Sequence, residues 1–237
     1  MMLRPIGILG GMGPEATSLL QRKLVEAVPA SDDRDHIPLL IDMNPQVPSR
    51  IAHLIEGAGE DPGPTLAAMA RRLQDFGALA LAMPCNTAHH YAKAITDAVD
   101  IPLLNMVELT ADHATKAIGS GGCVGMLASP AMRRTRLIET ALRVRGLSVV
   151  WPADDDPMLA AIRKIKIDGP CVEARETLRA ASKELAAAGA DLQCVACSEF
   201  SLIADSVAAE ANAIDTIDLL VRAMIEFSQT GHLGETE

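Results

Sequence analysis

Short apolar runs alternate with amphipathic stretches along the whole of this 237-residue chain. The first run, in "PIGILGG", predicts a buried strand closed by a Gly turn. "PEATSLLQRKLVEAV" predicts the helix after it, with Pro14 in the first turn, where a missing N–H is tolerated. "IPLLIDMN" is a second strand, followed by the Pro-rich loop "PQVPSR". A breaker cluster opens the helix "DPGPTLAAMARRLQDFG", and its last Gly stands where helix C-termini favour one. "ALALAMPC" then predicts a strand, "TAHHYAKAITDAV" a helix and "IPLLNM" a further short strand.

From about Val107 the pattern starts again. "ELTADHATKAIG" reads as helix, "GCVGMLAS" as strand, "AMRRTRLIETALRVRG" as helix and "LSVVWP" as strand. Two helices follow, "DPMLAAIRKIKIDG" and "CVEARETLRAASKELAAAG", then the strand "ADLQCVACSEF" and a C-terminal helix through "AIDTIDLLVRAMIEF". Apolar strands alternating with helices mean βαβ units on a mostly parallel sheet, hence an α/β fold. The halves also echo each other. "IGILGGMGPEATSLLQRKL" pairs with "VGMLASPAMRRTRLIETAL", and "ALALAMPCNTAHH" with "DLQCVACSEFSLI". The expectation is two similar doubly wound domains related by a pseudo-two-fold axis: 1–106 with a C-terminal helix at about 212–237, and 107–211. Ligands of open α/β sheets bind at the carboxyl ends of strands, so Cys85 and Cys197 would meet in one cleft between such domains.

Composition narrows the function. A net charge of −10 without a basic cluster, and only 2% aromatics, argue against nucleic acid and anionic membrane as partners. No apolar stretch approaches the length of a membrane span, and "MMLRPIGILGG" is too short before its Gly turn to read as a signal peptide. Five scattered cysteines suit a reducing cytoplasm better than a disulfide framework.

Several stretches carry candidate chemistry. Gly11 to Ala16 matches a G-x-G-x-x-A dinucleotide turn, but Pro14 lacks an N–H and Glu15 would repel a pyrophosphate. The acid such a site needs could come only from Asp32, Asp33 or Asp35, in a polar segment. The turn suits a small carboxylate better. Cys194 and Cys197 form a C-x-x-C, yet residues three apart on a strand point to opposite faces, so Cys194 reads as core, as do Cys123 and Cys171. No spacing suggests a metal site. His89 or His90 could pair with Cys85 as a hydrolase dyad, and Arg50 in its loop could clamp a carboxylate. Lys164 and Lys166 are equally placed to assist.

Taken together, "ILGGMGPEAT", "NPQVPSR", "MPCNTAHH" and "ACSEF" resemble the aspartate/glutamate racemase superfamily, in particular its aspartate racemase branch. The motifs run in order from about Ile6 to Ala223. The glutamate branch has Asp-Ser-Gly at the first turn, where this chain has Gly10-Gly11-Met12. The resemblance implies a cofactor-independent amino-acid racemase, commonly a homodimer, with Cys85 and Cys197 as its two bases. It further implies that Arg50 holds a substrate carboxylate, that Asn86 and Thr87 bind the α-carboxylate, and that Met12, Ser129, Ser198 and a lysine near 166 complete the substrate site. Ser129-Pro130-Ala131-Met132 and "ACSEF" depart from the family pattern, although Ser198 keeps its hydroxyl and Glu199 its carboxylate, and the departures bear on the substrate side chain.

Two thiols suit inversion of a Cα. One removes a proton from one face, the other returns a proton to the opposite face, and cationic groups on the carboxylate stabilise the carbanion. Helix N-termini after Cys85 and Cys197 should lower the thiol pKa. The alternatives are a relative acting on another small carboxylate, as cis/trans isomerase or decarboxylase, and a non-catalytic amino-acid-binding module.

Overall fold

A computed structural model describes residues 3–233. They form two compact units: one holds the residues up to Met106 and from Ile217 onward, the other Val107–Thr216. The first contains β1 (Ile6–Gly10), α1 (Pro14–Ala27), β2 (Leu39–Met43), α2 (Gly63–Asp75), β3 (Ala80–Ala82), α3 (Ala92–Thr96) and β4 (Leu103–Leu104). The chain then passes through α4 (Met106–Ile118), β5 (Cys123–Ala128), α5 (Pro130–Thr135), α6 (Leu137–Val144), β6 (Ser148–Val150), α7 (Asp156–Asp168) and α8 (Val172–Ala187). β7 (Leu192–Ala196), α9 (Ser198–Ser201) and β8 (Ala213–Asp215) complete the second unit. Finally α10 (Thr216–Thr230) returns to the first, where the Arg4 N–H donates to the Ser228 carbonyl and the Ser228 hydroxyl donates to the Arg4 carbonyl, both at 3.0 Å.

Each unit has a four-stranded, all-parallel sheet, in the orders β2-β1-β3-β4 and β6-β5-β7-β8. The α/β class and the doubly wound sheets therefore follow the alternation in the sequence. The echo between the halves extends to packing. A Cβ on Gly7 of β1 would lie 3.0 Å from Leu73 on α2 and from Ala78, and one on Gly125 of β5 would lie 3.1 Å from Leu185 on α8 and 2.9 Å from Ala190. In both units a glycine in the first strand lets the helix preceding the third strand sit directly on the sheet.

Period-two side-chain placement builds two cores on the second sheet. Val124, Met126, Cys194 and Ala196 join the cluster containing Ile138 and Leu142 of α6, while Leu127, Val195 and Cys197 join that of α7 and α8. Cys194 is fully buried and its thiol is pushed up to about 12 by burial alone, the behaviour of a core residue.

The local elements differ from expectation in four places. The "ALALAMPC" strand narrows to Ala80–Ala82, because Pro84 cannot continue a ladder. The helix expected after it begins as a 3-10 turn, Thr87–Tyr91. "AMRRTRLIETALRVRG" breaks into α5 and α6 at Arg136, which takes a left-handed φ of 53°. "AID", read as the start of the last helix, is the edge strand β8, paired to β7 through Gln193–Ala213 and its neighbours. No helix among the described residues is long and apolar enough to cross a membrane.

Candidate active site

In the first unit, the segments leaving β1, β2 and β3 carry the candidate residues. Gly11 turns with φ 92°, and a Cβ there would stand 2.4 Å from the Asn44 carbonyl carbon, so the turn after β1 packs against the backbone after β2. The Gly11 N–H donates to the Thr17 hydroxyl at 3.1 Å. Met12 is 3% exposed and lies in the apolar cluster with Val47, Met83 and Cys85. The dinucleotide reading fails on geometry. Asp32 and Asp35 form a capping box around an exposed 3-10 turn, ahead of β2 rather than at its end.

Arg50 is half-buried, and its Nη1 donates to the carbonyls of Val47 at 3.3 Å and Pro48 at 2.9 Å. Its Nε is buried without a partner among the described residues. Cys85 is 7% exposed, just past β3, with Asn86 buried and Thr87 half-buried after it.

His89 does not serve the Cys85 thiol. Its Nδ1 donates to the Cys85 carbonyl at 2.9 Å, and its Nε2 accepts the Met106 N–H at 3.1 Å. Both ring nitrogens are thus spent on backbone, and burial lowers its pKa to about 4. His90 is exposed and meets Tyr91 edge-on. The dyad reading is therefore set aside in favour of a structural latch. Because the unfolded chain takes up this proton near pH 6.5 and the folded one only near 4, the latch's contribution falls as pH drops through that window. Urea unfolding at pH 7 and pH 4 is expected to show about 3 kcal/mol more acid loss in the wild type than in His89→Gln, from a shift of 1.36 kcal/mol per pH unit. Equal acid losses would contradict the assignment.

In the second unit, Ser129 follows β5 and its hydroxyl accepts the Ala131 N–H at 3.1 Å, capping α5. Cys197 follows β7, 5% exposed, and its Sγ donates to Glu199 Oε2 at 3.2 Å. The Ser198 hydroxyl donates to the same oxygen at 3.4 Å, and Lys166 Nζ donates to Oε1. This separates the two lysines: Lys166 reaches the Cys197 site, while Lys164 pairs with Asp168 on the helix surface.

The expectation of a lowered thiol is corrected at Cys197. Burial, then the charge of Glu199 and its hydrogen bond, push the thiol well above its ordinary range. The N–H groups of Glu199 and Phe200 act in the opposite sense and are outweighed. A helix of four residues, α9, has too little dipole to compete with an adjacent carboxylate. Glu199 is the acceptor that the motif alone did not mark as the partner of the thiol. Among the described residues, no group of three or more His, Cys, Asp or Glu is arranged to hold a metal.

Residues 9–224 match the Asp/Glu/hydantoin racemase family. The chain is 25% identical over 232 residues to the broad specificity amino-acid racemase RacX of Bacillus subtilis, covering 93% of this chain and 96% of that one. It is 30% identical over 168 residues to a glutamate racemase of Deinococcus radiodurans, covering 67% and 56% of the two. Its structure resembles the aspartate racemase of Picrophilus torridus with a TM-score of 0.84 at 28% identity, over 95% of this chain and 94% of that one.

Proposed function

The chain belongs to the Asp/Glu/hydantoin racemase family, and from that membership we propose that it is a cofactor-independent amino-acid racemase, an isomerase in which Cys85 and Cys197 act as a thiolate–thiol pair. The observation that carries this reading is the repeated placement of the thiols. Each cysteine lies just past the third strand of its unit, Cys85 after the Met83-Pro84 step that leaves β3 and Cys197 immediately after β7. Each of these strands pairs with its unit's first strand in the same sheet order. Both are buried and free, as a proton carrier shielded from water requires.

In this mechanism a thiolate takes the α-proton from one face of the amino acid. The electron pair left on Cα is delocalised into the α-carboxylate, and the other thiol delivers its proton to the opposite face. The first cysteine ends as thiol and the second as thiolate, so the reverse reaction uses the same groups with their roles exchanged. Arg50 supports the carboxylate role: an unsatisfied buried donor costs about 1–3 kcal/mol, and a bound carboxylate oxygen would remove that penalty. Asn86 and Thr87 follow Cys85 along the chain and Ser198 follows Cys197, Ser129 caps α5 at the end of the neighbouring strand β5, and Lys166 supplies a second cation. The relatives include one named as broad in specificity and one named as an aspartate racemase, so the substrate class is the free α-amino acid. The free thiols suit a reducing compartment such as the cytoplasm.

The test is direct. The purified protein is incubated in D2O, without added cofactor, with single enantiomers of each proteinogenic amino acid, and α-proton exchange and chirality are followed. Exchange accompanied by inversion is expected for at least one amino acid. Absence of exchange throughout the panel would leave an amino-acid-binding module as the better reading.

A further inference from the structure

We propose that His53 and Tyr91 form a positioning pair that holds the Arg50 segment against the arm carrying Cys85. The role rests on Arg50 and Cys85 serving the site proposed above. Neither residue belongs to the motifs that carry the family resemblance, and they come from segments separated by the whole of α2.

Arg50 begins a helical stretch that continues as one π-helical turn, Ala52–Glu56, and ends where Gly57 takes a left-handed φ of 66°. The start of the turn is tied to its own chain: the Ala52 N–H donates to the Ser49 hydroxyl at 3.2 Å, and the His53 N–H to the Ser49 carbonyl at 3.0 Å. His53 stands three residues after Arg50, on the same side of the turn. Its Nδ1 lies 2.5 Å from the Tyr91 hydroxyl, and the rings stack with centroids 5.7 Å apart. Tyr91 ends the 3-10 turn that follows Cys85 and is 7% exposed, in the same apolar cluster as Cys85, Met12 and Val47. Val47 in turn accepts from Arg50 through its carbonyl.

The contact therefore links the two arms. One end is a tyrosine rigidly set by the turn after the thiol, and the other is the helical turn that aims the guanidinium. Its electrostatics agree with a shared site. Burial and the negative fields of Asp61 and Cys85 raise the phenol to about 12 against the opposing pull of Arg50. The phenol stays protonated at neutral pH, so it can donate to Nδ1 while the imidazole keeps its proton on Nε2. A guanidinium on a loop must hold one orientation to engage a carboxylate through two N–H groups, and a contact that restricts its segment reduces the ordering cost of binding.

The expected signature is a split between binding and turnover. Tyr91→Phe keeps the ring stack and removes the hydroxyl. It should raise KM for the amino acid that exchanges fastest by roughly five- to tenfold, the worth of one hydrogen bond, with kcat within about twofold. His53→Leu should match it, whereas His53→Gln, whose amide can still accept the phenol proton, should recover most of the loss. A second readout needs no turnover: amide exchange in residues 47–57 should quicken in Tyr91→Phe by a comparable factor. Unchanged exchange there overturns the pairing. Faster exchange with unchanged KM overturns its role in positioning Arg50. If the wild type turns over no amino acid, the racemase reading fails alone, and calorimetric binding of L-aspartate replaces KM, an unchanged affinity in Tyr91→Phe again counting against the pair.

Discussion

Cys85→Ser and Cys197→Ser are each expected to lower racemisation by about 10³-fold or more, while leaving the fold intact. Serine is nearly isosteric with cysteine, and both side chains sit at strand exits rather than mid-strand, so the cores described above lose little. The loss comes from chemistry. A hydroxyl is far too weak an acid to cycle between base and acid at neutral pH, and a positioned proton carrier contributes ~10²–10⁴-fold on its own. When two such groups act as a unit, removing either costs about as much as removing both.

The informative part is what survives. With one base left, an enantiomer whose α-hydrogen faces that base can still exchange it for deuterium without inversion. The two variants should therefore show opposite preferences: one exchanges the D-enantiomer and the other the L. NMR in D2O reports the exchange, and chiral chromatography the inversion. Full racemisation in either variant would remove that cysteine from the mechanism. Loss of exchange from both enantiomers in one variant alone would point to a single nucleophile, as a decarboxylase or cis/trans isomerase would use. Circular dichroism and the urea midpoint establish that each variant is folded.

The parts of this architecture legible in the sequence are those set by local periodicity. Five consecutive buried residues in "IGILG" and the alternation in "LQCVAC" announce their strands, and the second assigns Cys194 to the core and Cys197 to the other face. What was not legible depends on contacts between distant segments. His89, four residues after a cysteine, suggests a dyad by spacing, yet the Met106 N–H claims its other nitrogen from the far side of β4. The three residues of β8 are too few to show a period beside a strongly helical continuation, and only the edge of β7 makes them a strand. Arg136 carries no residue-type signal for a left-handed turn. Lys164 and Lys166 are equivalent as letters. They part only because helical geometry sends one toward Asp168, on its own helix, and the other toward Glu199, 33 residues on.

Glu199 carries the second large effect, and Glu199→Gln is expected to separate the charge of this residue from its shape. In the native chain its carboxylate accepts the Cys197 thiol and faces Lys166 through its other oxygen. Its charge reinforces burial in keeping Cys197 protonated. Within the proposed pair, this casts Cys197 as the resting acid. Glutamine preserves the size and one acceptor oxygen but removes the negative charge. The Cys197 thiol should then ionise at a lower pH than in the wild type, since the negative charge of Glu199 no longer opposes the thiolate. Alkylation by iodoacetamide as a function of pH, read at Cys197 by peptide mass spectrometry, measures this directly. Turnover should fall by roughly 10- to 100-fold, because the resting proton is no longer held on the donor and Lys166 loses its anionic partner. Glu199→Asp, which keeps the charge on a shorter stem, should recover the pH profile more fully than the rate. An alkylation profile at Cys197 that is the same in Glu199→Gln and wild type would show that burial alone holds the proton and that Glu199 serves only to orient Lys166.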